Sequence, residues 1–316
     1  VTPTGKLARP DVFHPRIVLA GCPRLPAGDG DDDGLVEALR RRGLHAHWLP
    51  WDDPQTLTAD LVILRATWDY TERIEEFLAW TRRVPRLLNA PEVIAWNTDK
   101  VYLHDLEVAG VRVLESEFFG PDEAVHLPGG EVVIKPSVGA GSVGAQRFRS
   151  HTAAREHADA LADAGLTVLV QPYDRRIEAG ETALVFLAGQ PSHAFAKGPM
   201  LPPPGRPQRL DPTGSYAREV LTGADPDPAV WEFGRRALAA AAAHLELPVT
   251  ELLYARVDVI GGAADATLLE LELVEPGLGW SVQPGPVREA AERRFAVAVA
   301  DALERLGLGP MSHRRN

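Results

Sequence analysis

Two short segments near the C-terminal end carry the residues best suited to chemistry: Tyr254-Ala-Arg256-Val-Asp258 and Leu268-Leu-Glu270-Leu-Glu272-Leu-Val-Glu-Pro276. Both read as strands, with Gly261-Gly-Ala-Ala-Asp265 as the turn between them. On a strand alternate residues share a face, so Arg256 and Asp258 point one way, as do Glu270 and Glu272. Folding the hairpin about residue 264 sets Asp258 opposite Glu270 and Arg256 opposite Glu272. Carboxylates that close repel one another and call for a cation. A hard, oxygen-preferring divalent ion such as Mg²⁺ suits them, and Mg²⁺ commonly accompanies nucleotide phosphates. The plainer reading of the same residues is a solvated acidic face.

Composition narrows the field. With 316 residues, 45% hydrophobic and 24% charged, the chain can form two domains or one large α/β unit. Its net charge of −11 argues against nucleic-acid or membrane partners that need broad basic surfaces. Any phosphate must be met by a few well-placed Lys and Arg side chains. Cys22 is the only cysteine, which rules out an intrachain disulfide or a cysteine zinc cluster and reads as a core or loop residue. No apolar run is long enough to span a bilayer, and the first residues carry no signal-peptide pattern, so a cytoplasmic location is expected.

The elements that must position the carboxylates follow in order. Residues 1–14 look like a loose leader. Strands are expected at 16–20, 45–49, 61–64 and 86–89, with helices at 35–42 and 74–83, an alternation that predicts a parallel sheet with crossovers. Residues 1–97 thus form a Rossmann-like, substrate-side domain, with Arg65 to Tyr70 at the carboxyl end of a strand where ligands collect. Asn97 is expected to cap a helix running to Ala109. Residues 98–166 read as a small lid subdomain and 167–316 as a C-terminal subdomain. In these, strands are expected at 131–135, 143–148, 167–171, 182–187 and 192–197 and helices at 151–164, 228–245 and 287–306. Residues 199–214 read as a long loop.

The segment Gly139-Ala-Gly141-Ser142-Val-Gly144 matches a dinucleotide fingerprint literally. That fingerprint requires a helix to begin in the loop, whereas a second strand is expected here, and no P-loop pattern exists. What remains is a strand, Lys135, a glycine-rich hairpin tip and a returning strand. Backbone N–H groups of such a flap can approach phosphate oxygens. An ordinary flexible hairpin tip is the other reading.

Taken as an ordered set, these pieces resemble the ATP-grasp superfamily of ATP-dependent ligases. The matching phrases are Asn97-x-x-Lys100, Val133-Ile-Lys-Pro136 with its flap, Val168-Leu-Val-Gln171, Gly180-Glu181, Arg256-Val-Asp258 and Glu270-x-Glu272 with Pro276. The resemblance implies an α/β ATP-grasp fold: a Rossmann-like domain followed by two α+β ATP-binding subdomains. It implies that Lys100 and Lys135 hold the ATP phosphates under Gly139, Gly141, Ser142 and Gly144. Gln171 leads into a hinge whose backbone at Tyr173 or Asp174 meets adenine, since Pro172 has no N–H. Glu181 would hold the ribose; Asp258, Glu270 and Glu272 would bind Mg²⁺ (one or two ions, or Mn²⁺). Arg256, with Lys135, would stabilise the transferring phosphoryl group. Many family members carry Asn where Glu272 stands, so this site gains a negative charge.

Within the superfamily the chain is similar to glutathione-synthetase-like ligases, and to the subgroup containing the cycloserine-forming O-ureidoserine cyclo-ligase. The phrases that carry this are Arg65-Ala-Thr-Trp-Asp-Tyr70, Trp96-Asn-Thr-Asp-Lys100, Ser192-His-Ala-Phe-Ala-Lys197 and Leu269-Glu-Leu-Glu-Leu-Val-Glu-Pro276. The implied activity is ADP-forming carbon–nitrogen ligation through an acyl phosphate, with O-ureido-D-serine cyclisation as the specific case. An intermolecular amino-acid ligase and a carboxylate kinase are the alternatives. The implied partner is a small amino-acid-derived molecule, and a homo-oligomer is possible. For that substrate Arg65 offers a fork for a carboxylate, Thr67, Trp68 and Asp69 shape a pocket, His193 and Lys197 share a strand face, and Gly277 offers its backbone.

Overall fold

A computed structural model describes residues 14–204 and 219–309. Residues 1–13 of the leader and residues 205–214 of the 199–214 loop therefore lie outside the described residues.

The first domain follows the expected alternation. Strand β1 (Arg16–Gly21) leads through helix α1 (Leu35–Arg40) to β2 (His45–Pro50), then β3 (Leu61–Ala66), α2 (Ile74–Thr81) and β4 (Leu87–Leu88). All pairings are parallel, in the order β2-β1-β3-β4. Every residue of β3 is buried, as a strand covered on both faces requires. Helices α3 (Pro91–Asn97) and α4 (Tyr102–Val108) lead out of this domain. Asn97 ends α3 and does not cap α4, whose first turn lacks a side-chain cap.

A four-stranded sheet forms the lid, in the order β5-β8-β6-β7. Its members are β5 (Glu117–Phe119), β6 (Val132–Pro136), β7 (Gln146–Phe148) and β8 (Val168–Pro172), with α5 (His151–Asp163) packed against it. Because β8 pairs antiparallel with both β5 and β6, it belongs to this sheet and not to the C-terminal one. The lid therefore runs past residue 166 to Pro172. Helix α4 packs instead with the core of the large sheet, so the lid also begins later than residue 98.

The third sheet runs β11-β10-β9-β12-β13. Its strands are β9 (Glu181–Leu187), β10 (Gln190–Lys197), β11 (Leu221–Ala224), β12 (Tyr254–Ile260) and β13 (Thr267–Glu272). The helices α6 (Pro228–His244) and α7 (Gly285–Arg305) cover opposite faces. On β9, Leu184 and Phe186 pack into the cluster under α6, while Ala183, Val185 and Leu187 pack into the cluster shared by α7 and the first domain. That second face changes character along its length. Tyr254, Val185 and Phe195 are apolar core, whereas Asp258, Glu181 and Lys197 follow on the same strands at even spacing. The fold thus brings charge to one end of a sheet face whose other end is sealed.

Side chains of the first domain stitch it to this sheet by gripping backbone. Asn89 donates to Tyr254 O (3.0 Å) and Leu273 O (2.6 Å), and its own oxygen accepts from Leu253 N (2.8 Å). Asn97 donates to Leu271 O (2.9 Å) and accepts from Leu273 N (2.6 Å). Both asparagines are buried, so removing one leaves groups with no access to water. Asn89→Ala is expected to lower unfolding stability by about 3 kcal/mol, checked by chemical denaturation.

Candidate active site

The hairpin pairs as its spacing predicts: Arg256 lies opposite Glu272, and Asp258 opposite Glu270. A register shift follows immediately, between Asp258 and Val259. One oxygen from each of Asp258, Glu270 and Glu272 lies within 4.8 Å of the others.

Cations interleave with these carboxylates. Both Asp258 oxygens accept from Arg256, each at 2.9 Å, and Asp258 Oδ2 also accepts from Lys197 Nζ at 2.6 Å. Arg256 Nη2 contacts Glu272, and its Nη1 donates to Gly277 O at 3.0 Å. Lys197 also pairs with Glu181 at 3.0 Å. Gly180, at φ +94°, makes that approach possible, because a Cβ there would sit 2.8 Å from Lys197 O. Lys100 pairs with Glu270 at 3.2 Å and donates to Gly139 O at 2.6 Å, so one lysine joins the carboxylate strand to the flap.

This arrangement sets the protonation states. Burial raises the pKa of Glu270, but Lys100, Lys135, Lys197 and Arg256 together hold it down to about 2. Burial dominates at Glu272 and pushes it up to about 7, with Glu270 and Asp258 adding to the rise against Arg256. Burial also opposes charge on Asp258, and Arg256 and Lys197 overcome it. Burial brings Lys135 down to about 8, and Lys100 and Lys197 add to that fall, while Glu270 and Glu181 pull the other way.

A cleft of about 1190 Å³, open to solvent, lies against this cluster. Lys100, Lys135, Gln171, Glu181, Lys197, Arg256, Glu270 and Glu272 line it, as do Gly139, Gly141 and Ser142 of the flap. The flap is followed by strand β7 and not by a helix, which disposes of the dinucleotide fingerprint. Ser142 adopts φ +59° at its tip. Gly144 is off the cleft wall; at φ +78°, a Cβ on it would sit 3.1 Å from Pro136.

Several expected ligand contacts are already spent. Tyr173 N donates to Glu131 O at 2.8 Å, because the β6–β8 ladder continues one step beyond Pro172. Its ring lies under Arg147, 3.4 Å from the centroid, and neither Tyr173 nor Asp174 lines the cleft. The Asp174 carboxylate is engaged by Arg176. Arg65 forks onto Asp32 (2.9 and 3.2 Å) and donates to Pro276 O at 2.9 Å, so it is not a free carboxylate receptor. Asp69 accepts from Trp51 Nε1 at 2.8 Å and holds the aromatic core. His193 sits between Ser192 Oγ (2.9 Å) and Leu278 O (2.7 Å) and braces a loop. Burial lowers its pKa, so it stays neutral near pH 7. Thr67 is fully buried, and Gly277 uses its carbonyl on Arg256; neither lines the cleft. Trp68 does line it, together with Tyr70. Sequence reasoning missed Glu275 and Glu219 on the wall, and it missed Lys197 as the counter-charge of Asp258. The alternation of His193, Phe195 and Lys197 was the available signal for that last role.

Comparison with known proteins decides the family. A family model described as "D-cycloserine synthetase DcsG, N-terminal domain" matches residues 17–89. The cycloserine biosynthesis protein DcsG of Streptomyces lavendulae is 34% identical over 295 residues, covering 87% of this chain and 95% of that one. The chain belongs to the DcsG family. The crystal structure of the D-cycloserine synthetase DcsG superposes with a TM-score of 0.78 at 31% identity, covering 91% of this chain and 99% of that one. The D-alanine–D-alanine ligase from Bacillus anthracis, in complex with ATP, gives a TM-score of 0.61 at 12% identity, covering 92% and 98%, which speaks to fold alone. This DcsG-family chain therefore has the ATP-grasp fold and is an ATP-dependent, ADP-forming ligase. No helix among its described residues is long and apolar enough to cross a membrane.

The donor set of the DcsG-family site fits a divalent ion. Octahedral oxygen ligands at Mg²⁺ distances stand about 3–4 Å apart, so the three carboxylates need close only slightly. Glu270 and Glu272 are 26% and 29% exposed, on the cleft wall, so their lone pairs are accessible. Asp258 already accepts three hydrogen bonds from Arg256 and Lys197, and an ion there must share it with them.

The lowered pKa of Lys135 gives a pH signature. Above about 8 the free enzyme loses this charge, and kcat/KM for ATP is expected to fall as pH rises through that value. The fall in kcat should come at higher pH, since bound phosphates restore the proton. Lys135→Arg should remove the alkaline limb from the kcat/KM profile.

Proposed function

We propose that this protein is a Mg²⁺-dependent cyclo-ligase that closes O-ureido-D-serine to D-cycloserine through an acyl phosphate. The carrying observation is the cleft, where Glu270 and Glu272, with Asp258 buried within 4.8 Å of them, share the wall with Lys100, Lys135 and the glycine flap. This substrate is supported by the 34% identical DcsG relative and by the family match over residues 17–89, the domain that supplies Trp68 and Tyr70.

The residues divide the work. Adenine is assigned to the wall of Val133, Gln171, Pro172, Ile177 and Leu269, and Glu181 to the ribose. Lys100 and Lys135 offset phosphate charge, and the flap backbone covers the phosphates. Mg²⁺, held by Glu270 and Glu272 with a share of Asp258, would neutralise charge on the phosphoryl oxygens. Arg256, tied to Asp258 and Glu272, is pre-set to stabilise the transferring phosphoryl group. A carboxylate oxygen of the substrate takes the γ-phosphoryl group and ADP leaves. The substrate nitrogen next to oxygen then attacks the acyl carbon, loses its proton and expels phosphate, closing the ring; water then releases the carbamoyl group still carried by that nitrogen as carbon dioxide and ammonia. The lid shields the acyl phosphate from water.

Phosphate and ADP release with ATP, Mg²⁺ and O-ureido-D-serine, with and without a second amine, is the test. Stimulation by the single compound with a cyclic product by mass spectrometry is expected. A strict need for a second amine would make it an intermolecular ligase, and a released phosphorylated product a kinase.

A further inference from the structure

The cleft holds one carboxyl that the nucleotide chemistry does not use. Glu275 lies three residues beyond Glu272 and lines the cleft together with Trp68, Tyr70 and Val274. It is 6% exposed, and its Oε2 is enclosed without a hydrogen-bond partner. Buried carboxyl oxygens ordinarily find donors, and an orphan beside a cleft marks a place for a guest that brings its own. The surrounding cations are committed elsewhere: Lys100 to Glu270, Arg65 to Asp32, and Arg256 to Asp258 and Glu272. Burial and the neighbouring Glu272 push the Glu275 carboxyl well above the usual carboxylate range. The missing counter-charge must come from what binds. Trp68 and Tyr70 present aromatic rings on the same wall, and aromatic faces favour a cation. Tyr70 is fixed by stacking on Phe77 at 5.0 Å.

We infer that Glu275, with Trp68 and Tyr70, forms the subsite that receives the primary ammonium of an amino-acid substrate and so selects amino acids over their hydroxy counterparts. The inference rests on the proposed reaction, because it names the substrate group that this reaction leaves untouched. It places the ammonium on the first-domain side of the cleft, with the substrate carboxylate directed toward Arg256 and Glu272.

Titration calorimetry on the full chain, loaded with Mg²⁺ and an unreactive ATP analogue, reads binding apart from turnover. The probes are O-ureido-D-serine and its analogue with hydroxyl in place of the α-amine. The wild type is expected to prefer the amine by about 10- to 100-fold. Glu275→Gln, which keeps size and removes the charge, should shrink that preference to within about threefold, mainly by weakening the amine. Affinity for the ATP analogue serves as the folding control and should not move. Full discrimination retained in Glu275→Gln overturns this inference alone and leaves Oε2 to a bound water. A wild type that binds the amine but accepts the hydroxy analogue equally also overturns it alone. A wild type that binds neither compound overturns the proposed substrate and, with it, this subsite.

Discussion

Glu270→Ala is expected to lower kcat at least about 10³-fold while the chain stays folded. Glu270 is the carboxylate that Lys100, Lys135, Lys197 and Arg256 keep ionised, so it presents a full negative charge to the cleft at any working pH. Its loss removes an accessible carboxylate proposed to hold the metal and also leaves Lys100 and Lys135 with less charge opposing their mutual repulsion. Glu270→Gln keeps an oxygen without the charge and should fall between the two, recovering partly as Mg²⁺ is raised. Steady-state ADP release across a Mg²⁺ titration checks both variants. Turnover by Glu270→Ala at the wild-type rate would remove Glu270 from the metal site.

Lys197→Met should cost the fold more than any other substitution in the cleft. Lys197 is 5% exposed and bridges Glu181 and Asp258, which are themselves 6% and 0% exposed. Taking away the shared cation leaves two carboxylates enclosed together, with Arg256 still on Asp258 but no ion pair left for Glu181 among the described residues. Breaking a buried ion pair from one side costs about 3–5 kcal/mol, because the partner charge is stranded. Chemical denaturation near pH 7 is expected to show a loss of that size, together with loss of turnover. Adding Glu181→Gln to Lys197→Met should recover part of the stability, since one stranded charge goes with it. A Lys197→Met protein as stable as the wild type would mean that the bridge contributes little.

The sequence reading succeeded where chemistry follows local periodicity. The register of Arg256 with Glu272 and of Asp258 with Glu270 comes directly from strand alternation and a short turn. The same argument placed His193, Phe195 and Lys197 together. It failed where a side chain is claimed by something distant. Arg65 looked free because its partner, Asp32, sits in the segment after β1 and not beside it in the chain. Asn97 had the profile of a helix cap, yet it serves strand β13, some 175 residues away, by pairing with backbone. Tyr173 was a candidate donor only as long as the ladder was taken to stop at Pro172. Strand β8 was assigned to the wrong sheet for a similar reason: its apolar run says that it is buried, and only pairing with β5 and β6 says where. Glu275 escaped notice because an acidic residue before a proline carries no signal until burial and the missing partner are known.

The lid enters through residues 112–114, which lie along β13. Leu114 N donates to Leu268 O, and Leu268 N donates to Arg112 O, each at 2.8 Å. Leu268 stands two residues before Glu270 on the same strand. The lid is therefore tied to the scaffold here, and again where Lys100 N donates to Ser137 O at 2.9 Å. The first tie lies on the strand that carries Glu270 and Glu272, so if those side chains hold the ion as proposed, a lid movement that frees the spent nucleotide would also loosen their hold on it.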